Sequence, residues 1–470
     1  MGDTTLTDRI LQLNDLVWQP FAMPLVLVVV GGLITVMTGV IQIRRFPVAL
    51  RMVTGGAFFR GGKGGGEGTI TQFQALSTAL ASTVGNGNIG GVATAILIGG
   101  PGAIFWMWVT AAVGMATKYA EAVAGVHYRV TRDTGEFASG PMYYIKRAVP
   151  QRQLGAGLAG MFAFFGACTA LFGTGNMAQS NTVARTFVEA ARTIAGVEVP
   201  LWVPGLLITV AVGLVLLGGI RRIAAVAARL VPAMIVVYVL AASAYLLINL
   251  TAIPAVIAQI VSSAFTPSAA VGGFAGATAA QVIAAGVSRG VLSNEAGLGS
   301  APIAHGIAKV NHPSEQGLVG VFEVFVDTIV VCSMTAFVIL TSGLWTDPAY
   351  QGSSGDLTAA ALSTSVPLAS LVVALCSFLF GFSTLIGWSY YGEACVEFLF
   401  GTRAVMPYRV VFTGMILIGA VVSVPLVWAI GTLLNGFMAF PNLIGIAFLV
   451  GTVRSLTKDY FSGSSPRASR

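Results

Sequence analysis

The chain has 470 residues, 56% of them hydrophobic and only 9% Asp, Glu, Lys or Arg, with a mean hydropathy of +0.84. Soluble globular chains carry roughly 25% charged residues, so this chain cannot cover a water-facing surface. A soluble enzyme, a disordered chain and a secreted disulfide scaffold are excluded, and the long continuous apolar runs predict an all-α polytopic membrane protein.

Apolar length gives eleven candidate spans, at 22–43, 69–100, 102–127, 156–183, 200–219, 231–250, 276–303, 317–345, 366–392, 407–424 and 428–453. Several exceed the ~20 residues a crossing helix needs, which permits tilt or a break. Ahead of the first lie Asp3, Asp8 and Asp15 against Arg9 alone, the wrong charge for a cleaved signal peptide, so span one reads as a retained helix. Gly31, Thr35 and Gly39 have the small-xxx-small spacing of a helix contact. The run Gly61-Gly62-Lys63-Gly64-Gly65-Gly66 reads as a flexible linker. Cys168, Cys332, Cys376 and Cys395 are widely spaced, with no CxxC pair, and read as small buried hydrophobes rather than zinc ligands or disulfides.

The net charge of +7 is explained by its distribution. Segments 44–68 and 127–153, the turns near 221–229, 309 and 403–409, and the tail from Arg454 hold twenty basic residues on one side; Arg9, Arg185 and Arg192 stand alone on the other. The positive-inside rule then predicts an outside N-terminus and a cytoplasmic C-terminus. Charge is a topology signal here, and no nucleic acid is called for as partner.

Two spans contain segments that make poor helices. Ser82-Thr83-Val84-Gly85-Asn86-Gly87-Asn88-Ile89-Gly90-Gly91 interrupts span two, and Leu292-Ser293-Asn294-Glu295-Ala296-Gly297-Leu298-Gly299-Ser300-Ala301-Pro302 interrupts span seven. Such backbone is tolerated at membrane depth only where it is buried in protein or lines a polar cavity. With span one set aside, the breaks fall in the first helix of two sets of five, and an odd number inverts the second set. That is the pointer to a secondary transporter built from inverted repeats. The expected organisation is an N-terminal helix with its linker (1–68), a first repeat (69–250), a second (251–453) and a cytoplasmic tail (454–470). The GxGxxG match at 85–90 is no dinucleotide site: no strand precedes it, and Thr110 stands where an acid is needed.

Thr78-Ala79-Leu80-Ala81-Ser82-Thr83-Val84-Gly85-Asn86-Gly87-Asn88-Ile89 and Gly99-Gly100-Pro101-Gly102-Ala103 with Trp106-Met107-Trp108 resemble the bacterial and archaeal alanine or glycine:cation symporter family. So do Lys118-Tyr119-Ala120-Glu121, Gly140-Pro141-Met142-Tyr143-Tyr144 and the Ser293–Pro302 run, the likeness extending from about residue 70 to 445. The resemblance implies a LeuT-like 5+5 inverted repeat behind an extra helix, in the cytoplasmic membrane of a prokaryote. It also implies sodium-driven uptake of alanine or glycine, with sodium as the co-transported ion.

The residues suggest where such a substrate sits. Gly85, Gly87 and Gly90 let a small zwitterion approach the backbone, and Asn86 and Asn88 offer both donors and acceptors; the alternative is that the asparagines only cap the broken ends. By the resemblance, Asn88, the Gly85–Gly87 backbone, Gln179, Thr384 and Trp388 contact substrate, with Trp388 limiting side-chain size; the alternatives are an interhelical hydrogen bond for Gln179 and an interfacial aromatic belt for Trp388. Leu292, Ser293 and Asn294 join them from the second break. Fold analogy sets the carbonyls of Ala81 and Val84 opposite Ser383 and Thr384 as the sodium site, unless these hydroxyls only back-bond their own helix. Glu295, Glu323 and Asp327 are intramembrane acids and so candidates for coupling or gating. Glu323 and Asp327, four apart, suit a proton relay or a structural brace, and pairing of Glu295 with Arg289 stays open. His127, His305 and His312 map to the cytoplasmic edge.

A sodium-coupled small neutral amino-acid symporter is the expected function. The alternatives are a proton-coupled form and an uncoupled facilitator or channel. An enzyme is not expected, since no HExxH occurs. Beyond the amino acid and membrane lipid, no obligate protein partner is evident.

Overall fold

The computed structural model describes residues 6–19, 22–55, 58, 66–132, 135–265, 278–350, 354–367 and 369–463. Most of the glycine linker and the tail beyond 463 lie outside these residues. The described chain is helical apart from turns and one two-stranded hairpin, Val130–Thr131 with Phe137–Ala138. In order, the helices that position the site are α1 (Leu6–Trp18), α2 (Met23–Met37), α3 (Gln72–Thr83), α4 (Val92–Gly99) and α5 (Gly102–His127). Then come α6 (Arg152–Phe172), α7 (Met177–Ala195), α8 (Trp202–Leu216) and α9 (Gly219–Ile248). The remainder is α10 (Ala279–Asn294), α11 (Ala301–His305), α12 (Pro313–Val324), α13 (Ser333–Ser342), α14 (Ala369–Phe400), α15 (Val405–Val421) and α16 (Val424–Ser462).

Seven helical stretches among the described residues are long and apolar enough to cross a membrane, from the 20 residues of Thr402–Val421 to the 42 of Arg152–Thr193. The other expected spans are helical but fall short of that simple pattern for visible reasons. Two are interrupted (α3/α4 and α10/α11), α5 carries Lys118 and Glu121, and α8 has only 15 residues. The outer surface is apolar, with Leu240 and Leu247 about two-thirds exposed, whereas Asn88, Asn181 and Asp327 are fully buried. This inversion of the soluble pattern is what a bilayer selects.

Both interrupted helices begin with the same device. Thr71 accepts from the Gln74 amide while Gln74 caps the Thr71 N–H, and Thr278 with Gln281 repeats the arrangement. Helix α3 ends where Val84 turns extended, and a π-helical stretch, Gly87–Gly91, leads into α4. Helix α10 runs through Asn294 and ends at Glu295, whose left-handed φ of 57° is rare for a residue with a side chain. Ser293, placed in the second break by its sequence, is thus the last turn of a helix.

Loops rich in basic residues gather at one end of the molecule. Arg129 reaches the carbonyls of Glu67 and Ala308, Arg221 pairs with Glu136, and Arg409 with Glu393. Helix α2 touches α10 and packs mainly on α5 and α16. Gly31 makes that contact: a methyl there would lie 3.0 Å from the Thr117 hydroxyl. Gly39 does not share it; at φ 70° it belongs to the turn that ends the helix.

Candidate substrate and cation site

The two breaks are joined by one carboxylate. Asp327 is fully buried on a π-helical stretch, Phe325–Cys332, between α12 and α13. It accepts from Asn88 Nδ2 at 2.7 Å, Ser293 Oγ at 2.9 Å and Thr328 Oγ1 at 2.7 Å. The π-helical turn re-aims a side chain that a regular helix would point elsewhere, a common use of such turns at functional sites. Asn88 Oδ1 in turn accepts the Gly85 N–H at 2.8 Å, while Thr335 donates to the Asn88 carbonyl at 2.8 Å. Asn294 caps the second break, accepting the Ala296 N–H at 3.0 Å and donating to Thr328 at 3.1 Å.

A narrow cavity opens beside this hub. Gly85, Gly87, Gln179, Leu292, Ser293, Thr384 and Trp388, all expected at the site, line it together with Glu295. Asn86, Asn88 and Asn294 stand behind it and brace the backbone. Asn86 donates to Gln179 Oε1 at 3.1 Å and accepts from Ser377 at 2.7 Å. Gly85 has to be glycine, because a methyl there would sit 2.6 Å from Thr384 Oγ1. Trp388 is locked on both sides: its indole N–H donates to Glu295 Oε1 at 2.9 Å, and its ring lies so close to Gly175 that a methyl would come within 2.6 Å. Ser300 donates to the other oxygen of Glu295.

Ser383 and Thr384 each donate to the Phe380 carbonyl, at 2.8 and 2.9 Å. Their hydroxyls therefore back-bond α14, as weighed from the sequence, and their oxygen lone pairs stay free to accept or coordinate. Ala81 and Val84 are fully buried at the end of α3. Among the described residues, Glu323 and Asp327 do not hydrogen-bond each other. Glu323 pairs with Lys118 at 3.2 Å and His305 at 2.6 Å, in a fully buried charge cluster. His305 is fully buried, with Gln316 on its other nitrogen at 2.6 Å. Glu295 and Arg289 make no ion pair, and among the described residues the Arg289 guanidinium, which lines the cavity, has no partner.

Several contributors went unseen in the sequence. Ser82, Thr83, Thr174 and Trp428 line the cavity, and a third interruption, Gly173–Asn176, separates α6 from α7 and brings Gln179 in. The polar run 173–181 was the available signal for that break. No local signal marks Thr328 or the π-helical turn, which come to the site by tertiary packing alone.

The chain matches the sodium:alanine symporter family over residues 3–469. It belongs to that family. The sodium/alanine symporter AgcS of Methanococcus maripaludis is 46% identical over 95% of each chain. The probable sodium/glutamine symporter GlnT of Bacillus subtilis is 38% identical over 95% of this chain and 89% of its own. In fold the chain resembles the manganese transporter of Eremococcus coleocola, with a TM-score of 0.51 at 14% identity over 85% of this chain and 89% of that one. The fold is LeuT-like, and the chain is a multi-pass membrane protein.

Proposed function

We propose that the protein takes up alanine or glycine into the cell with sodium, by alternating access about the two broken helices. The observation that carries this is the cavity itself: it holds one cationic side chain, Arg289, one acidic side chain, Glu295, and otherwise neutral polar groups, glycine backbone and the apolar walls of Leu292, Trp388 and Trp428. A zwitterion with no net charge matches that pair. Its carboxylate meets Arg289 and the N–H groups of the first break, and its ammonium meets Glu295 and the carbonyls freed by unwinding. Trp388, held by Glu295 and Gly175, limits the side chain to a methyl or less. The relatives named for alanine and for glutamine make this wall the point to test, since extra methylenes in a pocket change selectivity by about 10–200-fold each.

Sodium binds the carbonyls of Ala81 and Val84 with Ser383 and Thr384, hard oxygen ligands suited to it. Asp327 couples the ion to both breaks, because Asn88 and Ser293 hang on the same carboxylate. Residues 69–250 and 251–453 act as inverted repeats, which the matched Thr–Gln capping boxes support. The basic end faces the cytoplasm, with the N-terminus outside.

Uptake of labelled alanine into proteoliposomes, with an inward sodium gradient against an equal potassium gradient, tests the reading. Accumulation above equilibrium with sodium alone is expected. Accumulation driven by a pH gradient without sodium would establish proton coupling instead, and equilibration without any ion dependence would make the protein a facilitator.

A further inference from the structure

A cleft at the basic end lies outside the transport core, between the extra N-terminal helix and the last helix. Its cations come from two places: Arg44 and Arg45 follow α2, and Arg454 and Lys458 lie on the last turns of α16. No acidic side chain lines it among the described residues, and the nearby Asp459 is turned to His312 at 3.5 Å. Like charges so placed repel one another unless an anion joins them.

The local backbone goes out of its way to bring them together. Val40, a β-branched residue, is held left-handed at φ 56° and ψ 48°, with its N–H on the Thr35 carbonyl at 2.8 Å. Such a residue is a true outlier, and strain of this kind persists only where the surroundings enforce it. The turn redirects the chain from the axis of α2 into a short helix, Ile41–Arg44, and sets Arg45 over the Phe461 ring at 4.1 Å. Directly beneath, the wall is apolar: Val36 and Ile41 line the cleft, and Val36 is 74% exposed on the outer face of α2. Cations above an exposed apolar stripe, at the point where a membrane helix ends, match a phospholipid's phosphate and acyl chain in order and depth.

We propose that this cleft binds an anionic phospholipid, its phosphate held by Arg44, Arg45, Arg454 and Lys458 and its acyl chain laid along α2. The lipid joins the extra helix to the end of α16. A free phosphate would satisfy the cations but not use the apolar wall, so the two sources separate by experiment.

Fluorescent dioleoylphosphatidylglycerol is titrated onto the full-length protein in detergent, with competition by unlabelled dioleoylphosphatidylglycerol, dioleoylphosphatidylcholine and inorganic phosphate. Saturable binding displaced only by the unlabelled anionic lipid is expected. Arg44→Gln with Arg454→Gln should weaken it by about thirtyfold, the worth of two basic residues beside an anionic membrane surface. Arg44→Lys with Arg454→Lys keeps the charge and should bind within about threefold of the parent. Equal displacement by phosphatidylcholine, displacement by phosphate, or identical affinities for the Gln and Lys pairs would overturn the proposal.

Discussion

Replacing Asp327 by Asn removes one charge and almost no volume, so it isolates what the carboxylate does. Three donors converge on it: the Asn88 amide, Ser293 and Thr328 hydroxyls, at 2.7, 2.9 and 2.7 Å. A carboxylate accepts all three, whereas an amide has one accepting oxygen and turns N–H groups toward the remaining donors. At least one hydrogen bond to a charged group is lost, worth about 1.5–3 kcal/mol. About 2 kcal/mol taken from the sodium-bound arrangement is about thirtyfold in apparent sodium affinity. The assay is alanine uptake in proteoliposomes across a sodium series, with thermal stability measured on the same preparation. A sodium half-saturation raised at least about tenfold, in protein that still inserts and elutes as the parent does, is expected. A sodium dependence within about twofold of the parent would refute the coupling role and leave Asp327 a brace.

Asn88→Ala should abolish uptake while leaving insertion intact, because it strips the Gly85 N–H and Asp327 of their shared partner; near-normal uptake would remove Asn88 from the site. Arg289→Gln should raise the alanine KM by about tenfold or more with a smaller change in maximal rate, as removal of a charge that binds the ground state requires; an unchanged KM would take the carboxylate away from Arg289. Trp388→Ala should admit bulkier neutral amino acids, and Gly175→Ala, by pushing the ring, should lower alanine uptake; competition uptake that ranks alanine and larger substrates as the parent does would count against the sieve. Lys118→Met leaves Glu323, among the described residues, without its lysine partner and with His305 beside it, and should destabilise the protein by about 3–5 kcal/mol, the usual effect of breaking a buried pair, read as a loss of thermal stability.

What could be read from the chain divides by range. Gly85, Gly87 and the Glu295–Ser300 run announce themselves because a helix in lipid cannot contain them without a polar surrounding. Gln179, Thr384 and Trp388 entered through resemblance, and the structure lays them on one cavity with the first break. The partners of Asp327 could not be read, since a regular helix predicts i, i+4 with Glu323, whereas the π-helical turn sends the two acids into separate networks. The partners of His305 were equally out of reach: Glu323 and Gln316, which bury it at the end of a short half-helix, meet it through tertiary packing.

Side chains, rather than continuous backbone, tie the breaks to each other, and that has a thermodynamic consequence. Asp327 holds Asn88 of the first and Ser293 of the second, while Glu295, the left-handed residue that opens the second break, holds the Trp388 wall. A ligand that shifts either break therefore works against the other through these shared contacts. Coupling between two ligands is reciprocal in free energy: if sodium tightens alanine binding through Asp327, alanine must tighten sodium binding by the same factor. Binding isotherms of each, taken at saturating and zero concentration of the other, should give equal ratios in the parent protein, and both ratios should fall toward one together in Asp327→Asn. A fall in only one would place the coupling outside this hub.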